Sequence, residues 1–179
     1  MSERQIHGFL FENKIINKLG LIASGGYTFK YDAYDELNTP YQIKYIKKGS
    51  SIDLGDIFRN AKKDKDFYLI VGFWQGNKDN TTEIHKLFIQ KDKWNKGLEF
   101  ERYEEMKKWI KNVSNDRSFD LQWKKEMKFW KEEFNRKKRN IAIRFKRDHG
   151  NQKRIQCAIN NSIFKNYFLK EYENEQIWF

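Results

Sequence analysis

One cysteine, one proline and three scattered histidines stand in a chain of 179 residues. The lone Cys157 excludes an internal disulfide and any multi-cysteine zinc site. His7, His85 and His149 lie too far apart to form a zinc motif. No run of about 18 apolar residues occurs, so no membrane-spanning helix is expected. The opening stretch MSERQIHGFLFENKI lacks the uninterrupted apolar segment of a signal peptide. An intracellular, cytoplasmic protein without a structural metal is the resulting expectation. Internal repeats and low-complexity linkers are also missing.

What is present is positive charge and aromatic bulk. Lysine and arginine outnumber aspartate and glutamate 36 to 25, a formal net charge of +11, while 39% of residues are hydrophobic and 17% aromatic. That apolar content supplies a core and argues against wholesale disorder. The cationic surplus favours a polyanionic partner. The length suits one folded body in two lobes.

Ile6, Phe9, Leu10, Ile15, Ile16 and Leu19 recur at three- and four-residue spacings and stop before Gly20, which predicts an amphipathic helix over 5–19 that carries Glu12. Tyr27, Phe29 and Tyr31 alternate with Thr28, Lys30 and Asp32, the period of a strand. DELNTP supplies turn chemistry, and Tyr41 to Ile46 reads as the returning strand of a hairpin. With the turn centred near Leu37, Asp32 falls opposite Gln42, and strand alternation puts Gln42 and Lys44 on one face. SSIDLGDIFRNAKK is read as a helix with Ile52, Leu54, Ile57 and Phe58 as apolar members, capped by Ser50 and Ser51. FYLIVGFW is a continuous apolar run of the kind found in a central strand. A further strand is expected over His85–Gln90. The fold class is therefore α/β (α+β), a mixed central sheet flanked by helices.

Residues 1–98 are expected to form the catalytic core and 99–179 a basic recognition lobe packed with it as one body. Glu101–Arg139 is read as helical, with Trp109, Trp123 and Trp130 in the core and a break at NVSNDRS. IAIRFKRDHGNQKRIQCAI is read as two strands about an HGN turn, followed by a helical tail, NSIFKNYFLKEY.

Glu12 on a helix, Asp32 at a strand end and Gln42-Ile43-Lys44 on the paired strand resemble the PD-(D/E)XK nuclease superfamily, with glutamine in place of the usual second acid. The resemblance covers roughly residues 5–75. It implies a restriction-endonuclease-like sheet and a Mg²⁺-dependent deoxyribonuclease, with Mn²⁺ as a substitute ion. Asp32 would be the principal metal ligand, Gln42 would offer its amide oxygen, Glu12 would complete the site, and Lys44 would orient the attacking water. A hard cation with oxygen ligands suits such a set. Asp35 is a rival for Asp32, since the turn lets either reach an ion. Each of these residues also has an ordinary reading: Glu12 as a solvated helix carboxylate, Gln42 and Lys44 as the polar face of an exposed hairpin.

For DNA binding, Lys47, Lys48, Arg59, Lys62 and Lys63 form a candidate phosphate track. The hairpin near the C-terminus is read as a ribbon for the major groove. Its candidates are Arg144, Lys146, Arg147, Asn151, Gln152, Lys153 and Arg154. The expected partners are double-stranded DNA and a second copy of the chain, with no membrane and no small-molecule cofactor beyond the metal. A type II restriction endonuclease is the leading expectation. A homing endonuclease and an inert DNA-binding protein are the rivals.

Overall fold

Phe67–Trp74 forms the strand around which the molecule is built. In a computed structural model that describes residues 3–25, 30–60, 63–113, 120–137, 139–147 and 153–179, this strand is buried on both faces. Leu69 and Val71 point to one side and Ile70 to the other, all fully enclosed. Truncating one of them to alanine is expected to cost about 2–5 kcal/mol.

Two sheets are present among the described residues. The first runs in the order β1 (Ile22–Ala23), β2 (Ala33–Tyr34), β3 (Pro40–Lys47), β5 (Phe67–Trp74), β6 (Thr81–Ile89) and β9 (Asn174–Gln176), with β4 (Ile52–Asp56) set apart in the second. Within this sheet β3 and β5 pair in parallel, and the other neighbours are antiparallel. The second sheet is β4, β8 (Lys153–Ile159) and β7 (Ala142–Arg147), with β8 in the middle. The fold is thus a mixed α/β arrangement.

The parallel β3–β5 pair requires a crossover, and β4 with the short helix α2 (Ile57–Asn60) lies within it. The helix expected over this stretch is a strand over Ile52–Asp56, and only Ile57–Asn60, with the expected members Ile57 and Phe58, is helical. Ile52 and Leu54 are buried while Asp53 and Gly55 are not, a period of two, and the strand's partner, β8, lies about a hundred residues along the chain. Ser50 and Ser51 therefore cap no helix. Asp56 Oδ1 accepts the Phe58 N–H instead, at 2.9 Å.

Helix α1 (Glu3–Leu19) stops at Gly20, whose φ of +62° is the left-handed conformation of a helix end. Its buried stripe is Phe11, Ile15 and Ile16, whereas Ile6, Phe9 and Leu10 remain exposed. The buried residues pack with Tyr41, Ile43 and Ile70 on one face of the first sheet. Gly72 makes the approach possible, since a Cβ there would come within 2.2 Å of the Phe11 ring. Phe11 also stacks on Tyr45, with ring centroids 4.3 Å apart.

The opposite face carries the larger core. It joins Leu69, Val71 and Phe73 to Ile52 and Leu54 of β4 and Ile155, Cys157 and Ile159 of β8. It continues into helices α3 (Lys91–Leu98), α4 (Tyr103–Val113) and α5 (Asp120–Asn135) through Trp94, Met106, Trp123 and Trp130. Near the C-terminus α6 (Asn161–Ile163), a π-helical turn (Phe164–Phe168) and α7 (Leu169–Glu171) add Phe164 and Phe168. This core crosses position 98 without interruption. Among the described residues no helix is long and apolar enough to cross a membrane.

Candidate active site

The hairpin holding Asp32 is short. β2 pairs with β3 at only two positions, Ala33 with Tyr41 and Tyr34 with Pro40, a register centred on Leu37. Residues 27–29 of the expected first strand lie outside the described residues, and 30–32 form a bend, the strand itself being Ala33–Tyr34. Asp32 comes just before the ladder; its N–H donates to the Tyr41 carbonyl at 2.8 Å, which sets it across from Gln42. Because β2 begins one residue later, the Ile43 N–H lies beyond the ladder on that edge. The Asp32 carboxylate takes the place of a strand partner, Oδ2 accepting from Ile43 N at 2.6 Å and from Lys44 Nζ at 3.3 Å. Asp32 and Lys44 are each 23% exposed, so their charges are partly shielded from water.

Asp35 is occupied elsewhere. Its Oδ1 accepts the Thr39 N–H at 2.8 Å and closes the turn, helped by the Asp35 N–H to the Thr39 carbonyl. Of the two aspartates, Asp32 is the one at the Lys44 position.

Gln42 and Lys44 share the sheet face of Leu69 and Val71, their neighbours on β5. Gln42 is buried, so neither it nor Lys44 belongs to the polar face of a free hairpin. Glu12 is half-buried on α1. Its carboxyl is pushed up to about 7, first by burial and then by the negative charge of Asp32, with Lys44 pulling the other way. The charges of Asp32 and Lys44 are thus felt at Glu12, although α1 packs on the Ile43 and Ile70 face of the sheet and Lys44 belongs to the other.

A second lysine completes the group. Lys63, expected on a solvated phosphate track, is only 3% exposed. Its Nζ donates to the Lys30 carbonyl at 2.9 Å and lies over the rings of Tyr31 (4.4 Å) and Phe67 (5.1 Å). Burial lowers its pKa to about 7, the Lys44 cation adding to the fall and Asp32 opposing it. The phosphate-track reading of Lys63 fails because its backbone is drawn inward: the Asn95 side chain accepts the Lys63 N–H at 2.7 Å and donates to its carbonyl at 3.0 Å. Ser24 is a further member that the sequence reading misses, its hydroxyl donating to the Tyr31 carbonyl at 2.7 Å and its N–H to the Asp32 carbonyl at 3.1 Å. The signal in the sequence is slight: Lys63 stands four residues before the central strand.

The donor set suits a sparsely held hard cation. Among the described residues no group of three or more His, Cys, Asp and Glu side chains is gathered, but Mg²⁺ needs only one or two carboxylates when substrate phosphate and water complete its shell. Asp32, Glu12 and the Gln42 amide oxygen are all oxygen donors. A cation between the two acids would remove the repulsion that raises Glu12.

The residues expected to touch DNA are spread over several environments. Lys47 is exposed near Trp74, 5.8 Å from the ring centroid. Lys48 forms an ion pair with Glu83, which also contacts His85. Arg59 lies on α2 and Arg147 ends β7, but their side chains are outside the described residues, as are Lys62, Asn151 and Gln152. Lys153 is a correction: it is 2% exposed, over the Trp123 ring at 5.5 Å. It falls in the same alternation as buried Ile155 and Cys157 and so points inward. The ribbon itself is also corrected, since β8 pairs with β4 as well as β7. Arg144, Lys146 and Arg154 fall on the outward side, with Lys146 directly across from Arg154. Like charges so placed repel, and a polyanion on that face would relieve them.

The chain matches no protein-family model and no curated protein sequence, so the arrangement of Glu12, Asp32, Gln42 and Lys44 carries the functional reading.

Proposed function

We propose that this chain is a Mg²⁺-dependent endonuclease of the PD-(D/E)XK type, acting on double-stranded DNA in the manner of a type II restriction enzyme. The observation that carries the reading is the Asp32–Lys44 pair, 3.3 Å apart at an open sheet edge, with the Glu12 carboxyl close enough to feel both charges.

Asp32 and the Gln42 amide oxygen would hold the cation, and Glu12 would join them directly or through water. Bound there, Mg²⁺ supplies polarisation of the scissile phosphate and an acidified water. Lys44 would orient the attacking water and offset the negative charge that grows on the phosphate oxygens as the bond to the leaving group breaks. The Ile43 N–H fixes the Asp32 carboxylate so that little reorganisation is required. Arg144, Lys146 and Arg154 supply phosphate contacts that set the register on DNA. One such site per chain calls for a second copy to cut both strands, so the active form is a homodimer. A homing endonuclease would use the same chemistry on a longer, less symmetric site.

The second reading is a DNA-binding protein with an inert nuclease-like sheet. Gln42 in place of a second acid favours it. Incubation with supercoiled plasmid in Mg²⁺, Mn²⁺ or EDTA separates the two readings. Metal-dependent cleavage by wild type, abolished in Lys44→Ala, supports the nuclease; a gel shift without cleavage in any metal supports the binder.

A further inference from the structure

Asp32 sits in a bend, outside the regular ladder, yet a metal ligand has to be held still. The three carbonyls leading through it are captured one by one. Ser24 takes that of Tyr31 with its hydroxyl and that of Asp32 with its N–H, and Lys63 takes that of Lys30. The clasp is two-sided. Tyr31 Oη donates to Asp64 Oδ1 at 2.9 Å, and Lys30 Nζ lies 3.3 Å from the same oxygen. Residues 30–31 and 63–64 thus grip each other at three points. Behind them, the Asn95 amide pins the Lys63 peptide to α3 at both its N–H and its carbonyl.

A buried ammonium is costly unless paired, and here its hydrogen bond goes to a backbone carbonyl, supplemented by two aromatic faces. A neutral apolar side chain would fill the same space at a smaller desolvation cost. An ammonium at this place makes sense as the group that fixes the approach to Asp32.

We propose that Lys63 is a positioning residue for the metal site: with its peptide pinned by Asn95 and its Nζ seated on Tyr31 and Phe67, it clamps the Lys30 carbonyl and so sets the Asp32 carboxylate for the divalent ion. This rests on the nuclease reading of the site. Lys63 touches neither substrate nor metal; it acts through the backbone of residues 30–32.

The test is Mn²⁺ affinity of the purified chain by titration calorimetry, together with cleavage across a Mg²⁺ series. Lys63→Met keeps the stem and removes the ammonium. Its Mn²⁺ Kd is expected to rise about tenfold or more, as for other partners that orient metal ligands. The Mg²⁺ concentration for half-maximal cleavage should rise in step, while kcat at saturating Mg²⁺ stays close to wild type. A merely structural lysine would not produce that split. A folded Lys63→Met chain with wild-type Mn²⁺ affinity overturns the clamp and leaves the nuclease reading intact. A wild-type chain that binds no Mn²⁺ and cuts no DNA removes the nuclease reading, and the clamp falls with it. Should Lys63→Met fail to fold, Asn95→Ala read against Tyr31→Phe decides the question. The Tyr31 change leaves the Lys63 amino group on the Lys30 carbonyl, so it serves as the control with unchanged Mn²⁺ affinity. Asn95→Ala, which frees the Lys63 peptide, is the variant read: a weakened Mn²⁺ affinity supports the clamp and an unchanged one overturns it.

Discussion

Two hairpins in this molecule use the same local chemistry to opposite ends. β7 and β8 pair at six consecutive positions from Ala142–Ala158 to Arg147–Lys153, and β8 is sealed on its other side by β4. β2 and β3 pair at two positions and then part, leaving a stretch of β3 edge that the Asp32 side chain fills. The zipped hairpin presents charge on a fixed face. The parted one exposes backbone and gathers titratable groups. The proposed chemistry is placed where a ladder stops, because there a carboxylate can leave the strand pairing and meet an ammonium.

Substitutions at the parted hairpin are expected to have the greatest effect. Asp32→Asn and Lys44→Ala should each lower plasmid cleavage by about a hundredfold or more, the usual scale for removing one preorganised charge partner at a reacting phosphate or carbonyl. Circular dichroism should remain that of the wild type.

At the zipped hairpin, combined replacement of Arg144, Lys146 and Arg154 by alanine should weaken DNA binding at all sequences. The slope of log affinity against log salt should fall by about 3, roughly one for each phosphate no longer neutralised. Lys153→Met should leave that slope unchanged, since Lys153 faces the core. Equal slopes for the triple variant and wild type would remove the outward face from the DNA interface.

Gly72→Ala tests the link between α1 and the parted edge. The added methyl meets the Phe11 ring, so a destabilisation of about 1–3 kcal/mol is expected in urea unfolding. Glu12, the next residue along α1, should be displaced as well, and cleavage should fall more than it does for a Leu69→Val change of similar cost.

The smallest effect is a dependence on pH. The folded-state pKa of Glu12 is raised from 4.5 to about 7. Between those values the folded chain binds more protons than the unfolded one, so this group's stabilising contribution is complete below about 4.5 and declines as pH rises through about 7. Glu12→Gln mimics the protonated form. Its melting temperature should exceed that of wild type at pH 8, and the gap should shrink at pH 5. Mg²⁺ should narrow the gap at pH 8 by stabilising wild type alone.

Some of this is legible in the sequence because it depends on local pattern. The eight-residue apolar run at Phe67–Trp74 announces a strand covered on both faces, and the turn residues between Asp35 and Pro40 set the register that puts Asp32 across from Gln42. Other parts depend on partners far along the chain. Ile52 and Leu54 fit a helix or a strand until β8 is seen beside them. α3 has only Trp94 and Leu98 as buried members, too few to stand out among lysines. Lys63 looks like any surface lysine, and its burial follows from Asn95, Lys30 and Tyr31, none of them near it in sequence. Lys153 misleads for a simpler reason: its strand parity matches the apolar residues, but its charge points to the surface.

The most direct test of the parted edge as the active site compares Asp32→Asn with Asp35→Asn on supercoiled plasmid in Mg²⁺. Wild type and Asp35→Asn should both yield discrete fragments, because Asp35 serves its turn and the Tyr41 hydroxyl, and Asp32→Asn should yield none. Cleavage by Asp32→Asn at the wild-type rate would contradict the account.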